Sequence, residues 1–267
     1  MIEKIEDVIK IEVSKFRFSA NIYLIDDTLI DTGFPRTAGK LLNYLKNKKV
    51  SKIVNTHGHI DHIGGNSVIQ KYFRCKIYLY PIERKYTTLE RIIFGAPEEF
   101  SSENVPEKIK TEKHSFNVLY TPGHSKDHIT LFENKERLAF SGDLVLHGEA
   151  REVSNEVEIY RAIDSLKKLK SLKPEKIFPG HGDVFYGYEV LDEKINYLEN
   201  LGEKIIKLHE EGKNIKEIVK IIFGGERFPY IFIKNYFSAE NLVRSYLGNR
   251  ILKSNNSYNY EEKDFKD

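Results

Sequence analysis

Thr56-His57-Gly58-His59-Ile60-Asp61-His62 places four metal-ligating side chains within six residues, between an apolar run and the turn-forming pair Gly64-Gly65. Imidazole and carboxylate are ligands that zinc, iron and manganese accept. In an extended chain, residues two apart point the same way, so His57 and His59 can share one metal. Asp61 and His62 lie further along the loop and can reach a second metal. The spacing favours a metal site over a polar loop that contains histidines by chance.

Length and composition are typical of a globular protein. The 267 residues suffice for one large domain, or for one domain with a small appended one. Hydrophobic residues make up 40% and charged residues 31% of the chain. The formal net charge of +2 gives no reason to expect a nucleic-acid partner and leaves that partner open.

Cysteine usage and hydropathy bear on the compartment. The single cysteine, Cys75, cannot form an internal disulfide and is interpreted as a small buried residue. No apolar run approaches membrane-spanning length, and the first residues are too charged for a signal peptide. We therefore expect a cytoplasmic protein without membrane contact. Abundant Lys, Glu and Ile lean towards a thermophile, although abundant Asn argues the other way.

Hydrophobic periodicity predicts an alternation of strands and helices. The predicted strands are 9–13, 21–25, 28–30, 52–55, 76–79, 116–120, 128–132, 137–140 and 176–178. The predicted helices are 38–48, 66–73, 157–172, 190–211, 215–223 and 239–252. We expect a catalytic domain at 1–189, a helical extension at 190–253 and a frayed tail at 254–267.

Two segments do not fit this rhythm. Residues 81–112 hold three prolines and many charges, and we interpret them as an irregular or helical insertion. Such an insertion either covers a site near the His cluster or makes a surface excursion without contact to substrate. Residues 230–233 and 236–237 are extended and apolar, which suits core, a pocket wall or a contact within a homodimer.

Three later strands end in further candidate ligands. Residues 116–120 run into Thr121-Pro122-Gly123-His124, residues 137–140 into Ser141-Gly142-Asp143, and residues 176–178 into Pro179-Gly180-His181-Gly182. Each ligand sits beside glycine, where the backbone can bend tightly and leave space at a metal. Ligands on the ends of several strands form a rigid cage without one continuous motif.

These motifs, together with Leu29-Ile30-Asp31-Thr32-Gly33, resemble the metallo-β-lactamase fold superfamily of metal-dependent hydrolases, in the order in which that family carries them. The resemblance covers residues 9–190. It implies an α/β fold, a four-layer αβ/βα sandwich with a C-terminal helical extension and metals at one edge. It assigns His57, His59 and His124 to a first metal, Asp61, His62 and His181 to a second, and Asp143 to a bridge between them.

The resemblance also implies roles for residues around the ligands. Asp31 would orient a ligand or the His loop by hydrogen bonding, besides closing the turn before Gly33. His128 is interpreted either as a supporting residue or as a structural histidine. His147 either faces the substrate as a proton donor or is an ordinary loop residue. His114 lies among charged residues and is predicted at the surface.

The complete ligand set implies a dinuclear hydrolase. Two divalent ions, with zinc favoured and iron or manganese as alternatives, would share a bridging hydroxide as nucleophile. Asp61 and Asp143 are the predicted catalytic residues. The favoured substrate is a small-molecule thioester, lactone or carboxylic ester. A true β-lactamase is disfavoured, because such enzymes usually carry Cys or Ser at the position of Asp143.

Two alternatives remain within the family, because fold does not determine substrate. The segment Thr121–His128 is similar to lactamase-beta-like endoribonucleases, which makes a phosphodiesterase the second hypothesis. Against it, lysines and glutamates interleave along 203–220, as on a solvated helix. A mononuclear iron sulfur dioxygenase would use a subset of the same ligands and is less favoured.

Overall fold

The computed structural model describes residues 1–15, 18–81, 86, 88–227 and 237–254. Residues 230–233, Tyr236 and the predicted tail beyond Ser254 lie outside the described residues. The chain divides into two compact units, one made of Met1–Glu149 and Tyr160–Tyr197, the other of Ala150–Ile159 and Leu198–Asp267. The boundary predicted at residue 189 stays a prediction, because a division by packing does not show which parts fold alone.

A seven-stranded mixed sheet forms one half of the first unit. Its first four strands pair antiparallel and the later ones pair parallel. In spatial order, which is also chain order, they are β1 (Ile2–Ile5), β2 (Val8–Lys15), β3 (Phe18–Ile25), β4 (Thr28–Ile30), β5 (Lys52–Val54), β6 (Lys76–Leu79) and β7 (Glu103–Asn104).

A six-stranded sheet forms the other half. Its strands are β8 (Lys108–Lys110), β9 (Ser115–Tyr120), β10 (Ile129–Glu133), β11 (Leu138–Gly142), β13 (Lys176–Pro179) and β14 (Phe185–Tyr186). Their spatial order is β14-β13-β11-β10-β9-β8, and only β11 and β13 pair parallel. One hydrophobic core joins the two sheets face to face, as shown by the ring of Tyr23, which lies 5.3 Å from that of Phe140 and 5.4 Å from that of Phe178.

Helices cover the outer faces, as the predicted sandwich requires. Leu41, Leu45 and Ile69 pack on the first sheet in a second core cluster. Beside the second sheet, Ser165 donates a hydrogen bond to the carbonyl oxygen of Pro122, two residues after β9, at 2.7 Å. The helices of this unit are α1 (Ala38–Leu45), α2 (Ile60–Ile63), α3 (Asn66–Phe73), α4 (Thr88–Phe94) and α5 (Ile159–Ser171), with a 3-10 turn at Pro35–Thr37.

The segment 81–112 is more regular than predicted. It holds α4, but it also supplies β7 to the first sheet and β8 to the second. The expectation of an irregular or helical insertion is therefore wrong for these strands. Both are only two or three residues long and mostly polar, so periodicity could not reveal them.

The second unit contains helices and one short ribbon. Helix α6 (Glu189–Glu210) begins in the first unit and is followed by α7 (Ile215–Phe223) and α8 (Ala239–Ser254). Strands β12 (Val153–Ser154) and β15 (Phe237–Ser238) pair antiparallel. Helix α7 begins with a capping box between Asn214 and Glu217 and ends at Gly224 in the left-handed region. No helix in the described ranges has the length and apolarity needed to cross a bilayer.

Candidate metal centre

Four strand ends from both sheets deliver the predicted ligands to one edge of the sandwich. Strand β5 leads to His57, β9 precedes the loop that holds His124, β11 ends one residue before Asp143, and β13 ends two residues before His181. Asp61 and His62 lie in helix α2, so the expectation that they occupy a loop is wrong. The helical turn follows His59, whose extended backbone (φ −67°, ψ 151°) ends the loop.

The first group consists of His57, His59, His124 and Asp143, with ligand atoms all within 4.8 Å of one another. The His59 Nδ1 atom lies 2.8 Å from His57 Nε2 and 2.9 Å from His124 Nε2. Asp143 Oδ2 lies 3.4 Å from His124 Nε2. The side chains predicted for the first metal therefore converge on one point.

The second group consists of Asp61, His62 and His181, again within 4.8 Å. The Asp61 Oδ2 atom lies 3.8 Å from His62 Nε2 and 3.5 Å from His181 Nε2. Asp143 reaches this group too, because its Oδ1 atom is 3.4 Å from His62 Nε2 and its Oδ2 atom is 3.2 Å from His181 Nε2. Its carboxylate thus lies between the two groups, where the bridge was predicted.

Burial and neighbouring charges set the protonation of the first group. Burial, reinforced by the nearby histidines, holds the pKa of His57 well below its ordinary value. Burial also keeps the pKa of His124 well below the ordinary value, even though Asp143 acts in the opposite direction. Both rings are therefore neutral at pH 7, which is the form that binds a metal.

The second group is governed by carboxylates. Burial alone would lower the pKa of His62, but Asp143 and Asp31 overcome it and raise the pKa well above its ordinary value. In the same way Asp143 and Asp61 raise the pKa of His181 to about 9 against the effect of burial. Burial would raise the pKa of Asp143, yet His181, His62 and His124 hold it well below its usual range.

The donor set fits a divalent cation. The His62 Nε2 and Asp143 Oδ1 atoms are buried and lack a hydrogen-bond partner among the described residues. A buried polar atom left without a partner costs about 1–3 kcal/mol. A cation between these atoms would remove that cost, and imidazole with carboxylate suits zinc, iron or manganese.

Asp31 and His128 form hydrogen bonds to the cluster, as expected of residues that orient or support the ligands. Asp31 accepts hydrogen bonds from the Thr56 backbone N–H and hydroxyl at 2.8 Å each, and its Oδ2 atom lies 2.8 Å from His62 Nδ1. It also adopts φ +59° at the turn. His128 accepts a hydrogen bond from the Asp143 backbone N–H at 3.1 Å, and burial lowers the pKa of His128 to about 4.

The buried network holds residues that the sequence did not single out. Asp127 accepts a hydrogen bond from the Gly58 backbone N–H at 2.7 Å. Lys10 donates to the Gly182 carbonyl oxygen at 2.7 Å, and the Asn21 amide donates to the same oxygen at 2.8 Å. Tyr23 donates to the Pro179 carbonyl oxygen at 2.6 Å. The sequence offered a signal for Asp127, which lies within the segment that resembles the endoribonucleases. It offered none for Lys10, which looks like any polar residue of an alternating strand.

The structure places His147 at the surface and His114 in the interior. His147 is exposed, stacks on Phe185 with ring centres 4.1 Å apart, and accepts a hydrogen bond from the Asp183 backbone N–H at 3.1 Å. It therefore packs against the loop after His181. The surface prediction for His114 is wrong, because its side chain is 4% exposed with Nδ1 3.1 Å from Asp26 Oδ2. The charges around His114 in sequence concealed this burial.

The sequence profile of the Metallo-beta-lactamase superfamily matches residues 16–181. This range contains both groups of ligands and most of both sheets. The chain belongs to the metallo-beta-lactamase superfamily, a group of metal-dependent hydrolases. The family and fold predicted from the motifs are thereby confirmed.

Particular members resemble the chain over much of its length. The Beta-lactamase-like protein 2 homolog of Caenorhabditis elegans is 32% identical over 197 residues, 70% of this chain and 63% of that protein, so less than two thirds of it is spanned. A hydroxyacylglutathione hydrolase of Francisella tularensis subsp. novicida is 30% identical over 184 residues, 66% of this chain and 68% of that protein. A metallo-beta-lactamase family protein from Thermus thermophilus has a TM-score of 0.70, covers 92% of this chain and 94% of its own, and is 18% identical, which supports the fold alone.

Proposed function

We propose that this protein is a dinuclear metal-dependent hydrolase of small-molecule thioesters, lactones or other carboxylic esters. The observation that carries the proposal is the place of the Asp143 carboxylate, 3.2–3.4 Å from nitrogen atoms of both ligand groups. One carboxylate between two sets of three ligands suits a pair of divalent ions, with zinc favoured over iron or manganese. When bound, such a pair supplies an acidified water as nucleophile and polarises the bond under attack.

The exposure of the ligands indicates the side from which a substrate approaches. The side chains of His57 and His62 are fully buried, whereas those of His124, Asp61 and His181 are 18%, 22% and 28% exposed. The three exposed side chains form the rim of the centre. Asp61 is the carboxylate on this rim, so we assign it the handling of the proton during hydrolysis.

The small-molecule class has support from the similar proteins. One of them is named as a hydrolase of hydroxyacylglutathione, and such a compound is a thioester. A centre with an open rim would admit a carbonyl group to the side on which bound metals would supply their nucleophile. A cytoplasmic location and the absence of membrane contact are further parts of this proposal, and a nucleic-acid partner belongs to the alternative below.

The endoribonuclease alternative depends on the Thr121–His128 segment and the C-terminal helices. In the second unit, a groove between α6 and α7 is lined by Lys204 and Lys207, but Glu211, Ile221 and Leu208 line it as well. A binding face for phosphates requires a more continuous row of cations. The groove therefore gives no support to the endoribonuclease alternative.

Metal analysis combined with a panel of substrates tests the proposal. We expect about two metal equivalents per chain and turnover of S-lactoylglutathione or a lactone, but not of bis-p-nitrophenyl phosphate or single-stranded RNA. Asp143→Ala is expected to abolish turnover and to leave one equivalent or less, while Asp164→Asn on the exposed face of α5 retains both properties. Activity on RNA alone would overturn the substrate class. Unchanged turnover and two retained metals in Asp143→Ala would overturn the dinuclear site.

A further inference from the structure

Tyr86 links the 81–112 segment to the loop of the first ligand group. Its hydroxyl donates a hydrogen bond to the Gly58 carbonyl oxygen at 2.9 Å. On the other side of Gly58, the backbone N–H donates to Asp127 Oδ2 at 2.7 Å. Asp127 is itself buried, and Ser125 donates to its other oxygen at 2.7 Å.

Gly58 joins two predicted ligands, His57 and His59. Its N–H belongs to the peptide unit that begins at His57, and its carbonyl belongs to the peptide unit that leads to His59. Asp127 therefore contacts the peptide unit before Gly58, and Tyr86 contacts the peptide unit after it. Glycine has more backbone freedom than any other residue, so this link has the greatest need for outside restraint.

We propose that Tyr86 is a positioning residue of the first ligand group, which acts with Asp127 to fix the Gly58 linkage and thereby the two rings beside it. The inference rests on the proposed metal site and adds a residue that lies outside its motifs. Groups that orient metal ligands through hydrogen bonds commonly change metal affinity by about 10–100-fold when they are removed.

Packing beyond Tyr86 ties the same segment to the ligand-bearing part of the fold. Arg36 donates to the Ile92 carbonyl oxygen at 3.0 Å, and the Phe94 ring stacks on Phe34 with centres 5.4 Å apart. Further along, Lys71 and Glu98 form an ion pair at 2.7 Å. Whether residues 81–112 cover the site or make a surface excursion without contact to substrate stays a prediction, but Tyr86 contacts the loop between His57 and His59.

The test is the affinity for Zn²⁺ of each ligand group separately, measured calorimetrically. His181→Ala weakens the second group and leaves the first for titration, and His124→Ala does the reverse. Adding Tyr86→Phe is expected to weaken Zn²⁺ binding about 10-fold in the His181→Ala background and to change nothing in the His124→Ala background. If circular dichroism shows that either background is unfolded, the two Zn²⁺-binding steps of the Tyr86→Phe single variant are compared with those of the unsubstituted protein.

Tyr246→Phe is the matched control. The Tyr246 hydroxyl also donates to a backbone carbonyl, that of Leu198 at 2.7 Å, but within the second unit. Its loss should lower thermal stability and leave Zn²⁺ affinity unchanged. Equal affinity of the first group with and without Tyr86→Phe, or an equal loss in both groups, would overturn the role of Tyr86. Fewer than two Zn²⁺ equivalents in the unsubstituted protein would instead count against the dinuclear proposal itself.

Discussion

At the scale of single residues, the balance between burial and nearby carboxylates separates the histidines of the centre into two kinds. His62 and His181 face two or three carboxylates each, and the pKa of both is raised. Burial, reinforced by the surrounding histidines, lowers the pKa of His57. Side chains of the same type a few ångströms apart therefore differ in proton affinity, because the carboxylates outweigh burial at His62 and His181 and do not at His57.

The same crowding fixes the identity of Gly180. A Cβ atom on this residue would lie 2.2 Å from Asp143 Oδ1 and 2.8 Å from His62 Cε1. Gly180→Ala should therefore displace the Asp143 carboxylate and reduce bound metal to one equivalent or less, with turnover lowered at least 100-fold, an effect on the order of 3 kcal/mol. Metal content and kcat/KM are the measurements.

Gly39→Ala provides the control for Gly180→Ala. Gly39 lies in helix α1 with nothing within 4 Å of an added Cβ atom, so alanine should stabilise the helix by about 0.5–1 kcal/mol. Its metal content should not change. Full metal content in Gly180→Ala would mean that the Asp143 carboxylate can move without losing its place between the ligand groups.

At the scale of elements, a contact between two turns connects the two sheets that carry the candidate ligands. The turn after β3 meets the turn between β8 and β9 at Asp26. This carboxylate accepts hydrogen bonds from the Thr111 hydroxyl at 2.5 Å and from the Lys113 backbone N–H at 2.9 Å. Burial opposes ionisation, but these hydrogen bonds lower the pKa of Asp26 below its ordinary value.

The lowered pKa of Asp26 predicts how stability depends on pH. The stabilisation is fully present above the unfolded-state pKa of about 3.9 and is lost as the pH falls through the lower folded-state value. Asp26→Asn should reduce the free energy of unfolding by about 1 kcal/mol at pH 7, and the difference should shrink below about pH 4. Urea denaturation across this range is the measurement. A difference that is independent of pH would contradict the assigned charge, and Asp164→Asn should show no difference at any pH.

At the scale of the whole molecule, the centre is where the two sheets meet at one edge. The ligands follow β5 of the first sheet and β9, β11 and β13 of the second. A cation bound there would connect both halves of the first unit. Ligands that bind only the folded state stabilise it by mass action, by about 2.7 kcal/mol at a free concentration 100 times Kd.

Metal removal should therefore lower thermal stability. We expect dialysis against a chelator to reduce Tm by several degrees, about 2–4 °C for each kcal/mol in a chain of this size, and Zn²⁺ to restore it. Scanning calorimetry of the same sample before and after dialysis measures the shift. In Asp143→Ala the chelator should have a much smaller effect. An unchanged Tm in the unsubstituted protein would contradict the binding of a cation between the two sheets.

Local pattern predicted the regular elements and the ligand motifs of this protein. Helix α7 and strand β6 begin and end at the predicted residues, because hydrophobic periodicity and capping are properties of neighbouring residues. All seven predicted ligands converge in the structure. Helix α2 and strands β7 and β8 could not be predicted, because they are too short for a periodic signal.

Residue types at short spacing suffice to identify the family, most of the longer strands and helices and the side chains of the candidate metal centre, because periodicity and ligand motifs are local properties of the chain. Tertiary structure alone decided which buried polar groups support the centre. Lys10 and Tyr86 contact backbone carbonyls at Gly182 and Gly58, 172 and 28 residues away along the chain. Such contacts depend on how separate elements pack. Because a backbone carbonyl is the same chemical group at every residue, no local sequence pattern predicts which carbonyl a side chain contacts.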